Sequence, residues 1–295
     1  MRYLIRVHTL AAALLAFALL PAAGVARVHK LERLVVIGDS YSDGGNSGLL
    51  TQSAVPPAGF PPAPYVGGRL SNGPVAMERL WRLYNPTGPA LRPSEVGGSN
   101  FAVAGATTGV DNALAVDPNP NTVPLRPFYV GTSAAAQLAD ALTTVDPNPE
   151  RSLYVVWLGG NDVLYWFNSG GLTTGEGSTP GTMLGGSPVA GVDLPTVIGN
   201  AVTNVITAVS GLIAKGATNI LVPNQLDFGR APLYNTSLLA PQISLIAQGF
   251  NAGLSSGLQA LQAANPGVDI MEFDTFNLFD QVADNPAGFG FDNVA

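Results

Sequence analysis

The sequence predicts one α/β domain built on a parallel β-sheet, and three observations lead to this fold class. Short apolar segments bounded by turn residues recur along the chain, as is typical of buried parallel strands. Segments with helical spacing of apolar residues lie between them, and strands that alternate with helices form parallel sheets with right-handed crossovers. The 295 residues, of which 46% are hydrophobic, suffice for the core of one large domain.

Five segments have the length and composition of buried strands. Each is rich in apolar residues and is followed, directly or one residue later, by Gly, Asp or Pro, which end strands and open turns. The prediction is therefore a five-stranded sheet. The predicted strands are residues 34–37, 100–103, 153–158, 219–222 and 268–273.

Four helices are predicted between or beside these strands. The first has Pro74 at its first position, where the missing N–H costs nothing. The third carries apolar residues at helical spacing from Ile198 to Leu212, and Gly216 is its expected C-terminal cap. The predicted helices are residues 74–84, 133–143, 196–214 and 241–263.

Three long segments lack either pattern and are predicted to be loops. Residues 53–68 are rich in Pro, residues 111–128 contain DPNPNTVP, and residues 168–195 are rich in Gly, Ser and Thr. Long loops beside a sheet edge often carry substrate sites, so the last two could form the walls of a cleft. Elaboration of the surface explains them equally well at this point.

The N-terminus has the pattern of a secretory signal peptide. Arg2 and Arg6 precede an apolar run over residues 9–20, and small residues follow at 21–26. The expectation is a signal peptide over residues 1–26, a domain over residues 27–295, and a secreted or periplasmic protein. Retention of the segment as an uncleaved membrane anchor is the alternative.

Composition excludes several classes of function. The chain has no Cys, which excludes a disulfide framework and metal or redox chemistry based on Cys. Residues 27–295 carry 11 basic and 20 acidic side chains, a net charge of −9. This charge disfavours nucleic acid and anionic membranes as partners.

The most informative motif follows the first predicted strand. Residues 38–46 read GDSYSDGGN, so Ser40 lies in the turn at the carboxyl end of that strand. Open α/β sheets bind their ligands at this edge. A serine there can act as a nucleophile when a base lies within reach.

Three further blocks follow in a fixed order. They are GRLSNG at 68–73, NFAVAGAT at 100–107 and GGND at 159–162.

From residue 33 to the end, the chain resembles the SGNH or GDSL-type lipase/esterase family, in its secreted bacterial and plant-like branch. The resemblance implies a three-layer, flavodoxin-like α/β fold with a five-stranded parallel sheet and helices on both faces. It also implies hydrolysis of small-molecule or lipid carboxylic esters through an acyl-enzyme, with no cofactor and no metal. It specifies no partner protein.

The resemblance assigns roles to three residues. Ser40 would be the nucleophile, and the oxyanion hole would consist of the backbone N–H groups of Ser40 and Gly105 and the side-chain amide of Asn161. Neutral N–H donors of this kind stabilise the negative charge that acyl transfer builds on oxygen. We interpret Asp39 and Asp43, which flank the nucleophile, as acceptors that hold the loop.

A second serine motif is rejected. Residues 253–257, GLSSG, match the G-x-S-x-G nucleophile elbow, which requires a strand before it and a helix after it. Here the motif lies inside a predicted helix, so we attribute the match to chance.

The family's catalytic base is missing. Relatives carry Asp and His in a D-x-x-H segment after the last strand, whereas the two histidines here are His8 and His29. Three explanations stay open: a truncated sequence, an inactive relative, or an enzyme with another base. The expectation is very weak or no esterase activity. The alternative functions are a secreted binding protein without catalysis and a degenerate fragment of the family.

Overall fold

The structure is a computed structural model that describes residues 31–143, 149–183 and 186–292. The predicted signal peptide, His8 and His29 lie outside the described residues. The strands are β1 Arg33–Gly38, β2 Ser152–Trp157, β3 Gly177–Thr179, β4 Val189–Val192, β5 Asn219–Pro223 and β6 Asp269–Phe273. The helices are α1 Asn46–Thr51, α2 Ala76–Tyr84, α3 Ala113–Val116, α4 Arg126–Tyr129, α5 Ala134–Thr143, α6 Gly160–Asn168, α7 Gly171–Thr174, α8 Leu194–Ala214, α9 Ala240–Ala264 and α10 Thr275–Asp284.

Four of the predicted strands form one parallel sheet in the order β1-β2-β5-β6. In the register of this sheet, Val36 of β1 lies opposite Val155 of β2, and Tyr154 lies opposite Ile220 of β5. All six residues of β2 are buried, as expected for a central strand covered on both faces. The α/β class with a parallel sheet is therefore confirmed.

The fifth predicted strand, residues 100–103, is not a strand of this sheet. The segment does run parallel to β1, because Val36 and Gly38 exchange three backbone hydrogen bonds with Ser99, Phe101 and Val103. The next bond of such a ladder would join the Gly38 N–H to the carbonyl oxygen of Phe101. That N–H instead donates to the Gln137 side chain at 2.9 Å, so the ladder is interrupted.

Alternate side chains of the strands pack into two hydrophobic layers. On one face, β1, β2 and β5 contact α5, α8 and α9 through one large core cluster. On the other face, β1 and β2 pack against α2, with Trp81 buried between the layers. The described residues therefore have helices on both faces of the sheet, which is the predicted three-layer arrangement.

The helix bounds agree with the predictions to within one residue, apart from the start of α8, which is Leu194 in place of residue 196, and the start of α2. That helix begins at Ala76 and not at Pro74, because the Glu78 side chain accepts a hydrogen bond from the Val75 N–H at 3.0 Å and so caps the first turn. At the end of α8, Gly216 has a φ of 99°, and its N–H donates to Ile213. The following N–H, of Ala217, donates to Leu212, which completes a Schellman motif.

Two of the three predicted loops contain short elements. Residues 168–195 include α7 and an antiparallel hairpin of β3 and β4. Residues 111–128 include α3 and the first residues of α4. The loop prediction was wrong for these parts, because a loop-like composition does not exclude short elements, and β3 and β4 pair with each other in a two-stranded sheet of their own. Residues 53–68 contain no helix or strand.

The chain divides into two compact units. The larger comprises residues 31–224 and 249–273 and contains the four-stranded sheet. The smaller comprises residues 225–248 and 274–292, and in it Arg230 forms ion pairs with Asp280 and Asp284 of α10. Asp274 caps α10 by accepting a hydrogen bond from Asn277.

One helix within the described residues, α8, is long and apolar enough to cross a membrane by length and composition. Its positions Val205, Ala208, Val209 and Leu212 are buried in the hydrophobic core. This burial is typical of the core helix of a compact domain.

Candidate active site

The turn after β1 is held by the carboxyl group of Asp43. Its Oδ1 accepts hydrogen bonds from the N–H groups of Gly45 and Asn46 at 2.8 and 2.7 Å. Its Oδ2 accepts from Ser47, and also from the N–H of Ala104 at 3.0 Å. Asp43 thus ties this turn to the segment that precedes Gly105, which confirms its interpretation as a loop-holding acceptor.

Ser40 lies half-buried in this turn, one residue after Asp39. Among the described residues, the Ser40 hydroxyl makes no hydrogen bond. The backbone N–H of Ser40 likewise has no acceptor in this part of the chain. Both groups are therefore available to a bound molecule.

Gly105 occupies a position that other residues would fit poorly. Its φ is 76°, and a Cβ placed there would come within 2.5 Å of Asn112 Oδ1 and 2.6 Å of Leu114 Cγ. Its carbonyl oxygen accepts a hydrogen bond from Ala113, whereas its N–H has no acceptor among the described residues.

The side-chain amide of Asn161 joins the turn after β1 to the segment that follows Gly105. Asn161 lies in the first turn of α6, directly after β2. Its Nδ2 donates to Asp39 Oδ2 at 3.2 Å and to the carbonyl oxygen of Ala106 at 3.1 Å. Asp39 precedes Ser40, and Ala106 follows Gly105. The structure therefore brings the segments that carry the three predicted site residues together.

Two carboxyl groups are buried beside this amide. Burial raises the pKa of Asp39 to about 7, and the hydrogen bond from the Tyr41 N–H opposes that rise. Burial also raises the pKa of Asp162 to about 7, against two hydrogen bonds from Thr108. The charge of Asp162 is a further cause of the raised pKa of Asp39. Near neutral pH, each group is therefore close to its point of half-ionisation.

Sequence reasoning missed two residues that support the site. The Gln137 side chain of α5 accepts from the Gly38 N–H and donates to the Gly38 carbonyl oxygen, and so fixes the end of β1. Asn46 donates to the carbonyl oxygens of Asn100 and Ala102, at 2.8 Å each. Asn46 closes the GDSYSDGGN motif, which is a usable signal, whereas Gln137 lies in a helix without any motif.

The rejection of the second serine motif is confirmed. Residues 253–257 lie in the middle of α9, where no strand precedes the serines. Leu254 of this motif is buried in the core, which accounts for its presence.

The described residues contain no histidine, since His8 and His29 precede them. Among the same residues, no group of three or more His, Asp or Glu side chains is arranged to hold a metal ion. The polar side-chain groups of Ser40, Asn161, Asp39 and Asp162 at this site are hydroxyl, amide and carboxyl groups.

These strand-end motifs match a known family. A family profile described as GDSL-like Lipase/Acylhydrolase matches residues 34–294. The chain belongs to this family. Two GDSL esterase/lipases of Arabidopsis thaliana are similar to it. One is 25% identical over 303 residues, covering 90% of this chain and 71% of the relative. The other is 24% identical over 298 residues, covering 89% and 70%. The resemblance drawn from the four GDSL-type blocks is confirmed, so the chain is a member of a family of GDSL-type hydrolases.

Proposed function

We propose that this GDSL-family chain is a serine ester hydrolase in which Ser40 is the nucleophile. One observation carries the proposal: the Asn161 amide is hydrogen-bonded to the residue before Ser40 and to the residue after Gly105. Three N–H donors thereby come from three neighbouring segments: the turn after β1, the segment around Gly105, and the first turn of α6. The backbone N–H groups of Ser40 and Gly105 are two of them, and the Asn161 amide is the third.

The chemistry follows from this arrangement. The Ser40 oxygen attacks the ester carbonyl carbon, the hydroxyl proton passes to a base, and the carbonyl oxygen becomes an oxyanion. The three donors stabilise that oxyanion, and removal of one such donor typically costs about 3–4 kcal/mol. Collapse of the intermediate expels the alcohol and leaves an acyl-enzyme, which water hydrolyses to the acid and free Ser40.

Residues 31–143, 149–183 and 186–292 contain no histidine that could serve Ser40 as a base. Without a base, the serine hydroxyl keeps the high pKa of an alcohol and is a poor nucleophile at neutral pH. A site that has lost one triad member can retain an acceleration of about 10³–10⁴ over water from its oxyanion hole and binding. We therefore expect slow turnover that depends on Ser40.

Hydrolysis of p-nitrophenyl acetate by the 295-residue protein and by Ser40→Ala tests this function. The unaltered protein should hydrolyse the ester slowly. The rate with Ser40→Ala should not exceed the rate of spontaneous hydrolysis in buffer. Added imidazole supplies a general base, so it should increase the rate of the unaltered protein more than that of Ser40→Ala.

The Ser40→Ala variant is also its own control for folding, because its melting temperature should equal that of the unaltered protein. Equal rates for the two folded proteins, with and without imidazole, would contradict the proposal.

A second candidate function is a binding protein that keeps the ester site without catalysis. It is favoured by the position of the two histidines, His8 and His29, which precede the first strand. Calorimetry with a non-hydrolysable ester analogue, such as a methyl ketone, separates the two. Binding together with no Ser40-dependent turnover would support the second candidate.

We further propose that residues 1–26 are a signal peptide, that residues 27–295 are the hydrolase domain, and that the protein is secreted or periplasmic. The positive start, apolar run and small residues of this segment support the proposal. Mass spectrometry of the exported protein should give an N-terminus at Arg27. An intact N-terminus in a membrane fraction would contradict it.

The proposed substrates are small-molecule or lipid esters.

A further inference from the structure

The least expected feature of the site is the buried carboxyl group that faces the Asn161 amide. Asp39 is only 3% exposed, and it directly precedes Ser40. Its two oxygens accept from different donors: Oδ1 from the Tyr41 N–H at 3.1 Å, and Oδ2 from Asn161 Nδ2 at 3.2 Å. Each oxygen therefore serves one donor, and a carboxylate is the side chain of this size that provides two acceptors.

The two N–H groups of the Asn161 amide have different partners. One points to the Asp39 carboxyl group and the other to the carbonyl oxygen of Ala106. Since Ala106 follows Gly105, the second N–H points to the segment whose free N–H belongs to the proposed oxyanion hole. A primary amide is planar, so fixing one N–H also fixes the direction of the other.

We propose that Asp39 is a positioning residue that anchors one N–H of Asn161 so that the other points toward the oxyanion. This inference rests on the proposed function for its catalytic consequence. The hydrogen bond itself does not depend on that function. When a substrate binds, the N–H now on Ala106 is shared with the substrate oxygen, while the N–H on Asp39 stays in place.

The ionisation state of Asp39 sets the strength of this anchor. An ionised carboxylate accepts a shorter and stronger hydrogen bond than a neutral acid. Among the described residues, the charged group that acts on Asp39 is Asp162, and its charge disfavours ionisation of Asp39. Because burial raises the pKa of Asp39 to about 7, the anchor should tighten as the pH rises through neutrality.

Asp162 provides a matched control within the same site. It adjoins Asn161 in sequence and is 1% exposed, so it is buried as deeply as Asp39. Its oxygens accept from the N–H and hydroxyl of Thr108, at 3.0 and 2.6 Å, and not from the Asn161 amide. Replacing it with Asn alters a neighbouring carboxyl group without removing the proposed anchor.

The test is an NMR titration of the Asn161 side-chain amide in protein labelled with ¹⁵N-asparagine, with Asn161→Gln to assign the signal. In the unaltered protein, the two amide protons should shift with pH around a midpoint near 7. In Asp39→Asn the shift should disappear. In Asp162→Asn it should persist with a lower midpoint, because the charge that opposes ionisation of Asp39 is gone.

An Asn161 signal that does not depend on pH, or one that titrates equally in Asp39→Asn, would overturn the proposal. Should Asp39→Asn fail to fold, the unaltered protein and Asp162→Asn still decide between these results.

Ser40-dependent hydrolysis is measured separately. There Asp39→Asn should lower kcat by about 10²-fold with little change in KM, since a donor displaced by about 1 Å costs that much. If the unaltered protein shows no Ser40-dependent hydrolysis but the Asn161 amide titrates as expected, the proposed function is refuted and the positioning contact is not.

Discussion

At the scale of single residues, backbone geometry limits what the site can accept. Gly105 combines a φ of 76° with close neighbours on the side where a Cβ would project. A side chain at this position would be destabilising for two reasons: the left-handed backbone conformation is strained for a non-glycine residue, and the Cβ would clash with Asn112 and Leu114. The glycine of the third motif block is therefore required by the structure itself, whatever its chemical role.

Gly105→Ala should destabilise the protein by more than the backbone term alone. The left-handed conformation costs a non-glycine residue about 1–2 kcal/mol, and overpacking typically adds about 1–3 kcal/mol. Gly131→Ala is the matched control, because Gly131 has a φ of 75° and nothing within 4 Å of the Cβ position. Urea unfolding should show a clearly larger loss for Gly105→Ala, and equal losses would contradict the steric part.

Single residues also show which parts of the site could be predicted from the sequence. Ser40, Gly105 and Asn161 were predicted from motif blocks, and the structure places their segments side by side. Their roles as nucleophile and oxyanion donors stay predictions. The partners of Asn161 were not predicted, because no local pattern indicates which carboxyl group lies opposite an amide 122 residues away.

At the scale of elements, one helix side chain decides how the sheet ends. Gln137 of α5 is 4% exposed and exchanges two hydrogen bonds with Gly38, the last residue of β1. It takes the place that the carbonyl oxygen of Phe101 would have in a fifth strand. The same contact fixes the backbone one residue before Asp39, so it joins the helix layer to the turn that carries Ser40.

Gln137→Met should lower the free energy of unfolding by about 1–3 kcal/mol, because it leaves the buried N–H of Gly38 unpaired, whereas the Gly38 carbonyl oxygen keeps its hydrogen bond from Val103. Gln259→Met on α9 is the control, since Gln259 is exposed and, among the described residues, its side chain bonds to Ser255 alone. Its effect should stay within about 0.5 kcal/mol. Denaturant midpoints that coincide for the two variants would show that Gly38 does not depend on Gln137.

At the scale of the whole molecule, the buried carboxyl groups link folding to pH. The pKa values of Asp39 and Asp162 are about 7 in the folded protein and near the model-peptide value of 3.8 when unfolded. Between these values, the folded state holds protons that the unfolded state has released. The free energy of unfolding must therefore fall as the pH rises from about 5 to 7, and level off above the folded pKa values.

Urea unfolding between pH 5 and 8 measures this dependence. Each of the two carboxyl groups contributes a slope of up to about 1.4 kcal/mol per pH unit. Asp39→Asn should remove its share and leave that of Asp162. Stability that is constant or increases between pH 5 and 7 would contradict the burial of two carboxyl groups with raised pKa values.

The sequence by itself determined the class of fold, four of the sheet strands, the long helices and the family. Each of these depends on local information: apolar periodicity records which face of an element is buried, and motif blocks record the ends of strands. Only the tertiary structure decided the interrupted ladder at Gly38, the bridge that Asn161 makes to Asp39 and Ala106, and the ionisation of Asp39 and Asp162. These depend on contacts between residues 55 to 122 positions apart and on the removal of water from carboxyl groups, which no local pattern encodes.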